Sequence, residues 1–213
     1  MKEKPKTGRP IIGRPRSEAA HRAILKATLD LISAQGFRAI TMDQIAAEAG
    51  VGKMTVYRRW SNKAALVMDA LLELIGPETA FPDAATAIES LRKQLTLQAR
   101  FFRGPSGTLI RSLLAEAQSD PDLAVAFREQ WIEPRRTGVK RVLAQAIREG
   151  DLRHGIHLET AIDQLYGPIY YRLLIGSGKI DSAFLQTLFD QFLDGHRAPT
   201  RNAPRNRRNS ARR

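Results

Sequence analysis

The stretch from Thr41 to Lys63, TMDQIAAEAGVGKMTVYRRWSNK, constrains the fold more than any other, because it holds two short runs of helical periodicity with only a glycine-bounded turn between them. Met42, Ile45, Ala46 and Ala49 recur at the spacing of one helix face, and Thr41 stands where an N-cap oxygen would close the first turn. Gly50 can adopt the left-handed conformation that stops a helix, so Ala49-Gly50-Val51-Gly52 reads as the turn. A second helix is predicted from Lys53 to Trp60, with Val51, Val56 and Trp60 inward and Lys53, Thr55, Tyr57, Arg58 and Arg59 outward. Two helices so connected form a helix-turn-helix.

The outward face has the chemistry of a nucleic-acid reader. Lys53, Arg58, Arg59 and Lys63 can neutralise phosphates, which gives salt-dependent affinity, and an Arg or Lys that reaches a guanine edge adds sequence preference. Tyr57 can pack on a sugar or a thymine methyl. The competing reading of Arg58 and Arg59 is a solvated basic face, and of Tyr57 and Trp60 ordinary core packing. Position after the turn favours the interface for the arginines, and periodicity puts Trp60 inside and Tyr57 outside.

The flanking sequence completes a small helical domain over residues 17–75. A first helix is expected from Ser17 as N-cap to Gly36 as stop, with Ile24, Leu25, Ala27, Thr28, Leu31 and Ile32 on its apolar side. A fourth is expected from Ser61 as cap, with Ala65, Leu66, Met68, Ala70, Leu71, Leu72 and Ile75 apolar, ending at Gly76-Pro77. Over residues 76–196 helix follows helix with no strand-like alternation, so the fold class is all-α. Asp83 is expected to cap the first of these helices. Asp120-Pro121 opens a long segment that Pro134 must kink or split, and further helices are predicted over 158–174 and 181–193.

The formal charge of +12 lies entirely in the ends. Residues 1–16 hold six Lys or Arg against one Glu, and residues 197–213 hold seven Arg and no acid, leaving 21 basic and 21 acidic side chains between them. The body is therefore neutral, and its charge pattern, not its total, must select partners. Residues 1–16 read as a flexible basic arm and 197–213 as a disordered Arg-rich tail. Gly-Arg-Pro occurs twice in the arm, around Arg9 and Arg14. Two readings stand: slim arginines entering a minor groove, or a solvated terminus. The absence of Cys excludes disulfides, Cys-ligated zinc and a thiol nucleophile, and neither a secretory signal nor a membrane-spanning run is present. A cytoplasmic, nucleoid-associated protein with no membrane partner is expected.

The last two helices carry more apolar surface than one face needs. A self-complementary interface through Leu165, Ile169, Leu173, Leu185, Leu188, Phe189 and Phe192 would bury it in a homodimer, and a monomer bundle is the alternative. Met68, Phe101, Phe102, Trp131, Tyr166 and Tyr170 are candidates to line an apolar ligand pocket, and each is equally readable as core. Arg172 needs a partner, either Asp163, Asp190 or an anionic ligand. His154 and His157 form an H-x-x-H that spans Gly155, which reads as solvated loop more readily than as a metal site; His21 and His196 are isolated. With no catalytic constellation, metal or cofactor motif in sight, no enzyme is expected.

The segment FRAITMDQIAAEAGVGKMTVYRRWSNKAALVMDAL, residues 37–71, resembles the TetR family of one-component transcriptional regulators. Ile147-Arg148-Glu149-Gly150-Asp151-Leu152, Tyr166-Gly167-Pro168-Ile169 and Leu193-Asp194-Gly195 resemble one large C-terminal subgroup of it. The resemblance implies a nine-helix homodimer, a three-helix DNA-binding domain joined to a helical ligand and dimerisation domain. It implies contacts to bases or phosphates by Lys53, Met54, Thr55, Tyr57 and Arg59, with Arg58 beside them. It also implies a phosphate bond at the capping Thr41 and a phosphate-binding Lys63. Gly52, where the family commonly has Ser, weakens the cap of the second helix, and Met54 makes the reading surface bulkier. The function implied is repression of a pseudopalindromic double-stranded operator, relieved by a small-molecule effector. The alternative is an architectural binder driven by its basic ends.

Overall fold

The computed structural model describes residues 14–75 and 81–199, the side chains of residues 14–17 excepted. It is 76% helical with no strand among the described residues. The helices are α1 (Arg14–Gln35), α2 (Met42–Glu48), α3 (Lys53–Tyr57), α4 (Lys63–Ile75), α5 (Ala87–Arg103), α6 (Pro105–Glu116), α7 (Pro121–Phe127), α8 (Glu133–Glu149), α9 (Leu158–Ile175) and α10 (Ser182–His196). A π-helical turn, Arg128–Ile132, joins α7 to α8 without a break. Taken with it as one rod, the described residues form nine helices. The expected kink or split at Pro134 is met by a widened turn just before the proline, which is the second residue of α8.

Several helix starts differ from the sequence expectation. α1 begins at Arg14, so Ser17 lies inside it and Arg14 is on a helix and not in an extended arm. Pro15 is compatible with this because first-turn N–H groups have no intrahelical acceptor. Asn62, not Ser61, caps α4: its Oδ1 accepts from Ala65 N at 2.8 Å. Thr86, not Asp83, caps α5, its Oγ1 accepting from Glu89 N at 3.1 Å. Asp120 and Asp181 cap as expected, accepting from Leu123 N at 2.9 Å and Phe184 N at 3.0 Å. Arg9, the proposed stop at Gly76-Pro77 and tail residues 200–213 lie outside the described residues.

The chain divides into two compact units. One comprises the described residues up to Ile75 together with Arg100–Arg135. In it α1 packs on α2 and α4, α2 on α3, and α4 on α7, around Ile24, Ile40, Ile45, Val56, Leu66, Leu71, Ile110, Leu123 and Trp131. Thr28, on the apolar side of α1, is fully buried and donates to Ile24 O at 2.8 Å, so its hydroxyl carries no desolvation penalty. Gly107 lets the start of α6 pass close to the end of α5: a Cβ there would lie 2.0 Å from Phe102 O.

The other unit comprises Phe81–Ala99 and the described residues from Arg136 on. Its core is built from Leu91, Leu95, Leu143, Ile162, Leu165, Ile169, Phe189 and Phe192. Gln94 and Gln98 are buried on the same stripe of α5, linked at 3.2 Å, and the Tyr166 hydroxyl donates to Gln94 Oε1 at 2.6 Å. Arg197 and Leu152 form an antiparallel bridge, with Arg153 N bonded to His196 O and Ala198 N to Asp151 O, so the first residues of the expected tail are ordered by pairing.

Candidate nucleic-acid interface

The helix-turn-helix is assembled by backbone geometry. Thr41 Oγ1 accepts from Gln44 N at 3.2 Å while Gln44 Oε1 accepts from Thr41 N at 2.8 Å, a reciprocal box that fixes the entry into α2. Gly50 takes φ +65°, and Val51 N reaches back to Ala46 O at 3.0 Å. The chain therefore reverses within four residues. Gly52 is the N-cap of α3 and supplies no side-chain bond, as its lack of a hydroxyl dictates.

α3 is held from its inner side and open on the other. Val56 is fully buried, and Trp60, just past the helix end, is nearly so. Trp60 Nε1 donates to Asp69 Oδ2 at 3.0 Å, and the His21 ring stacks on the indole at 5.4 Å between centroids and 9° between planes. His21, isolated in the sequence, thus ties α1 to the end of α3. Met54 is 76% exposed and Tyr57 49%, Lys53 and Arg58 are exposed, and Thr55 and Arg59 are half-buried. One surface therefore presents Lys53, Met54, Tyr57 and Arg58, with Thr41 exposed beside them. Arg14, by contrast, is placed only by its backbone.

Two ionic arrangements were not foreseen. Asp43, in the first turn of α2, accepts from Lys53 Nζ at 2.5 Å and from Tyr57 OH at 3.2 Å. The hydrogen bond from Lys53 holds the Asp43 carboxyl below the usual carboxylate range, and Asp43 in turn raises Lys53. Desolvation and then Asp43 raise Tyr57. Lys63, the expected phosphate ligand, donates to Phe37 O at 2.7 Å and Ile40 O at 3.0 Å, with Nζ 4.2 Å from the centre of the Phe37 ring. Burial lowers its pKa, against the opposing pull of Asp120 and Glu116. The amine thus braces the loop that leads into Thr41 and keeps one proton for an outside acceptor. Arg38, in the same loop, donates to Glu116 Oε2 and Ser119 Oγ, both at 2.6 Å.

The remaining candidate residues are distributed as follows. Met68, Phe101, Phe102 and Trp131 are buried in the first unit, with Phe101 5.7 Å from Phe102 and 6.2 Å from Trp131 between ring centres. Tyr166 is buried and Tyr170 half-buried in the second, where desolvation and then Tyr170 raise the Tyr166 hydroxyl above its ordinary range. Of the residues expected at a subunit interface, Leu165, Ile169, Leu173, Leu185, Phe189 and Phe192 are buried within one chain and Leu188 is half-buried. The apolar side chains that α9 leaves exposed are Tyr171, Leu174 and Ile175. Arg172 pairs with neither Asp163 nor Asp190: it donates to Lys179 O and lies 3.6 Å over the Phe184 ring. Those two carboxylates instead face Arg136 and Arg92. His157 is the N-cap of α9, accepting from Thr160 N at 3.3 Å. No group of three or more potential metal ligands occurs among the described residues, and no described helix is long and apolar enough to cross a membrane.

Comparison with known proteins bears on this geometry directly. Residues 24–70 match the model for bacterial regulatory proteins of the tetR family, and residues 81–192 that for the tetracyclin repressor-like C-terminal domain. The chain belongs to the TetR family. It is 40% identical over 176 residues to the uncharacterized HTH-type transcriptional regulator YdeS of Bacillus subtilis, covering 83% of this chain and 89% of that one. It is 29% identical over 182 residues to the DNA-binding transcriptional repressor TetR of Mycobacteroides abscessus, covering 84% and 94%. Among solved structures, the TetR family transcription regulator SCO0332 superposes with a TM-score of 0.70 at 32% identity, over 83% of this chain and 97% of that one. This TetR-family chain is thus a DNA-binding transcriptional regulator and not an enzyme.

Proposed function

We propose that the protein is a homodimeric repressor that holds a pseudopalindromic operator and releases it when a small molecule binds. The observation that carries the reading is the divided surface around α3. Val56 and Trp60 lock it to its own domain, while Lys53, Met54, Tyr57 and Arg58 are exposed on the side that would meet a groove. Thr41, Thr55, Arg59 and Lys63 border that face, and Arg9 and Arg14 would add contacts from the N-terminal side. Repression is favoured by the likeness to a relative named a DNA-binding transcriptional repressor. Self-association is supported by the exposed Tyr171, Leu174 and Ile175 on α9. Phe101, Phe102 and Trp131 with Met68 offer buried apolar surface, which suits a largely apolar effector. Release is then a population shift, limited by the effector's difference in affinity for the two forms of the protein.

Selection of bound duplexes from a random library by the purified protein tests the reading. The expected result is a palindrome whose half-sites lie roughly 34 Å apart or a multiple of it, recurring in the DNA beside the protein's own gene. Tyr57→Ala should lose the selected duplex while eluting as the same oligomer. Failure to recover any motif, or undiminished binding by Tyr57→Ala, would refute this assignment of the reading head.

A further inference from the structure

Asp43 is an acid placed at the centre of a surface offered to a polyanion. It lies in the first turn of α2, yet its two oxygens hold Lys53 at 2.5 Å and Tyr57 at 3.2 Å, residues one turn apart on α3. Lys53 is 66% exposed and Asp43 44%, so the pair is solvated and contributes little to stability. The Thr41–Gln44 box already caps α2, so Asp43 is not required there either. Its contact set consists of two of the groups that would reach DNA.

We propose that Asp43 sets the discrimination of this protein between its operator and other DNA. The proposal rests on the reading of α3 as the DNA-contacting helix. In the free protein the carboxylate neutralises Lys53 and orients Tyr57. A phosphate approaching without the complementary base pattern meets a paired ammonium and a nearby negative charge, and so gains almost nothing from Lys53. The operator differs because Met54, Tyr57 and Arg58 find partners together and bring Lys53 within reach of a phosphate or base acceptor that outcompetes Asp43. The device suits a folded body with no net charge, in which one cation more or less on the reading face is a large fraction of the non-specific attraction. Asp43 is thus a specificity-determining residue that acts through its neighbours.

The test compares full-length wild-type protein with Asp43→Asn, which keeps the shape and an acceptor for Tyr57 but removes the charge. Fluorescence anisotropy would follow binding to a duplex selected by the wild type and to a scrambled duplex of equal composition, across a series of salt concentrations. Freeing one cation per subunit, two in the dimer, should steepen the salt slope on scrambled DNA by about 1.8 and tighten that binding about sixtyfold at 0.1 M salt. The selected duplex should gain less, so the ratio of the two affinities falls. Adding Lys53→Met to Asp43→Asn should abolish the gain on scrambled DNA. Equal weakening on both duplexes, an unchanged ratio, or a gain that survives Lys53→Met would overturn the proposal. If the wild type selects no duplex at all, the reading of α3 fails and the proposal falls with it; a selected motif with an unchanged ratio refutes the role of Asp43 alone.

Discussion

Replacing Lys63 by Met separates bracing of the reading head from contact with DNA. Met keeps the length and apolar stem of the side chain but cannot donate to Phe37 O and Ile40 O, now bonded at 2.7 and 3.0 Å. A hydrogen bond from a charged donor contributes about 1.5–3 kcal/mol where it is shielded from water. Lys63 is half-exposed, so water can replace part of each bond, and the pair together is worth about 2 kcal/mol. Loss of the ammonium over the Phe37 ring adds about 0.5 kcal/mol. A loss of about 2.5 kcal/mol in a chain of this size lowers the melting temperature by roughly 5–10 °C. Circular dichroism at fixed protein concentration measures this, since self-association would make the melting point depend on concentration. Lys63→Arg should recover little, because a planar guanidinium does not fit between two carbonyls as an ammonium does. A Lys63→Met protein that melts within about 1 °C of wild type would refute the bracing role, whatever its DNA affinity.

Two further substitutions test the packing on which the head and the second unit depend. Gly107→Ala drives a methyl to 2.0 Å from Phe102 O, so backbone must move; a destabilisation of about 3 kcal/mol, read by urea denaturation, is expected. Tyr166→Phe removes the donor to Gln94 Oε1 from a buried site and should cost about 1–3 kcal/mol, whereas the double variant with Gln94→Leu should recover part of that loss in the same assay.

Much of the fold was written in local pattern. Gly50 and Gly36 stop their helices where left-handed turns are needed, at φ +65° and +82°, and Asp120 before Pro121 starts another. Helix starts were less legible. Asn62 caps one residue after Ser61, Thr86 three residues after Asp83, and α1 begins three residues before Ser17. Gln44 could have been found, since Thr-x-x-Gln ahead of an apolar run is itself a capping signal. Gln94 and Gln98 could also have been found, as polar residues in phase with Leu91 and Leu95 on a core stripe.

The site was legible in its residue types but not in its wiring. Periodicity separated Tyr57 from Trp60 because Trp60 follows the buried Val56 by four residues, in phase with it, whereas Tyr57 is offset from Val56 by one. No spacing rule connects Asp43 to Lys53 across the turn, or Arg38 to Glu116, which lie 78 residues apart. A cation on an apolar helix needs an acceptor, which suggested a carboxylate or an anionic ligand for Arg172; a backbone carbonyl and an aromatic face meet that need. α9 leaves Tyr171, Leu174 and Ile175 exposed, but six of the seven expected interface residues, all except Leu188, are buried within one chain.

The π-helical turn at Arg128–Ile132 has a meaning for the history of the chain. An i→i+5 turn is an α-helical turn holding one residue too many, the form in which a helix absorbs a single-codon insertion without breaking. Trp131, fully buried within it and covered by the Arg135 guanidinium at 3.3 Å, fixes where that surplus is kept. A one-residue deletion anywhere from 128 to 132 would restore an ordinary helix. Because the widened turn absorbs the extra residue, the shortened helix would keep Val139, Val142, Leu143 and Ala146 close to the face they now bury. The widened turn thus lets the apolar stripes before and after it stay in phase, although the stretch holds one residue more than an α-helix would.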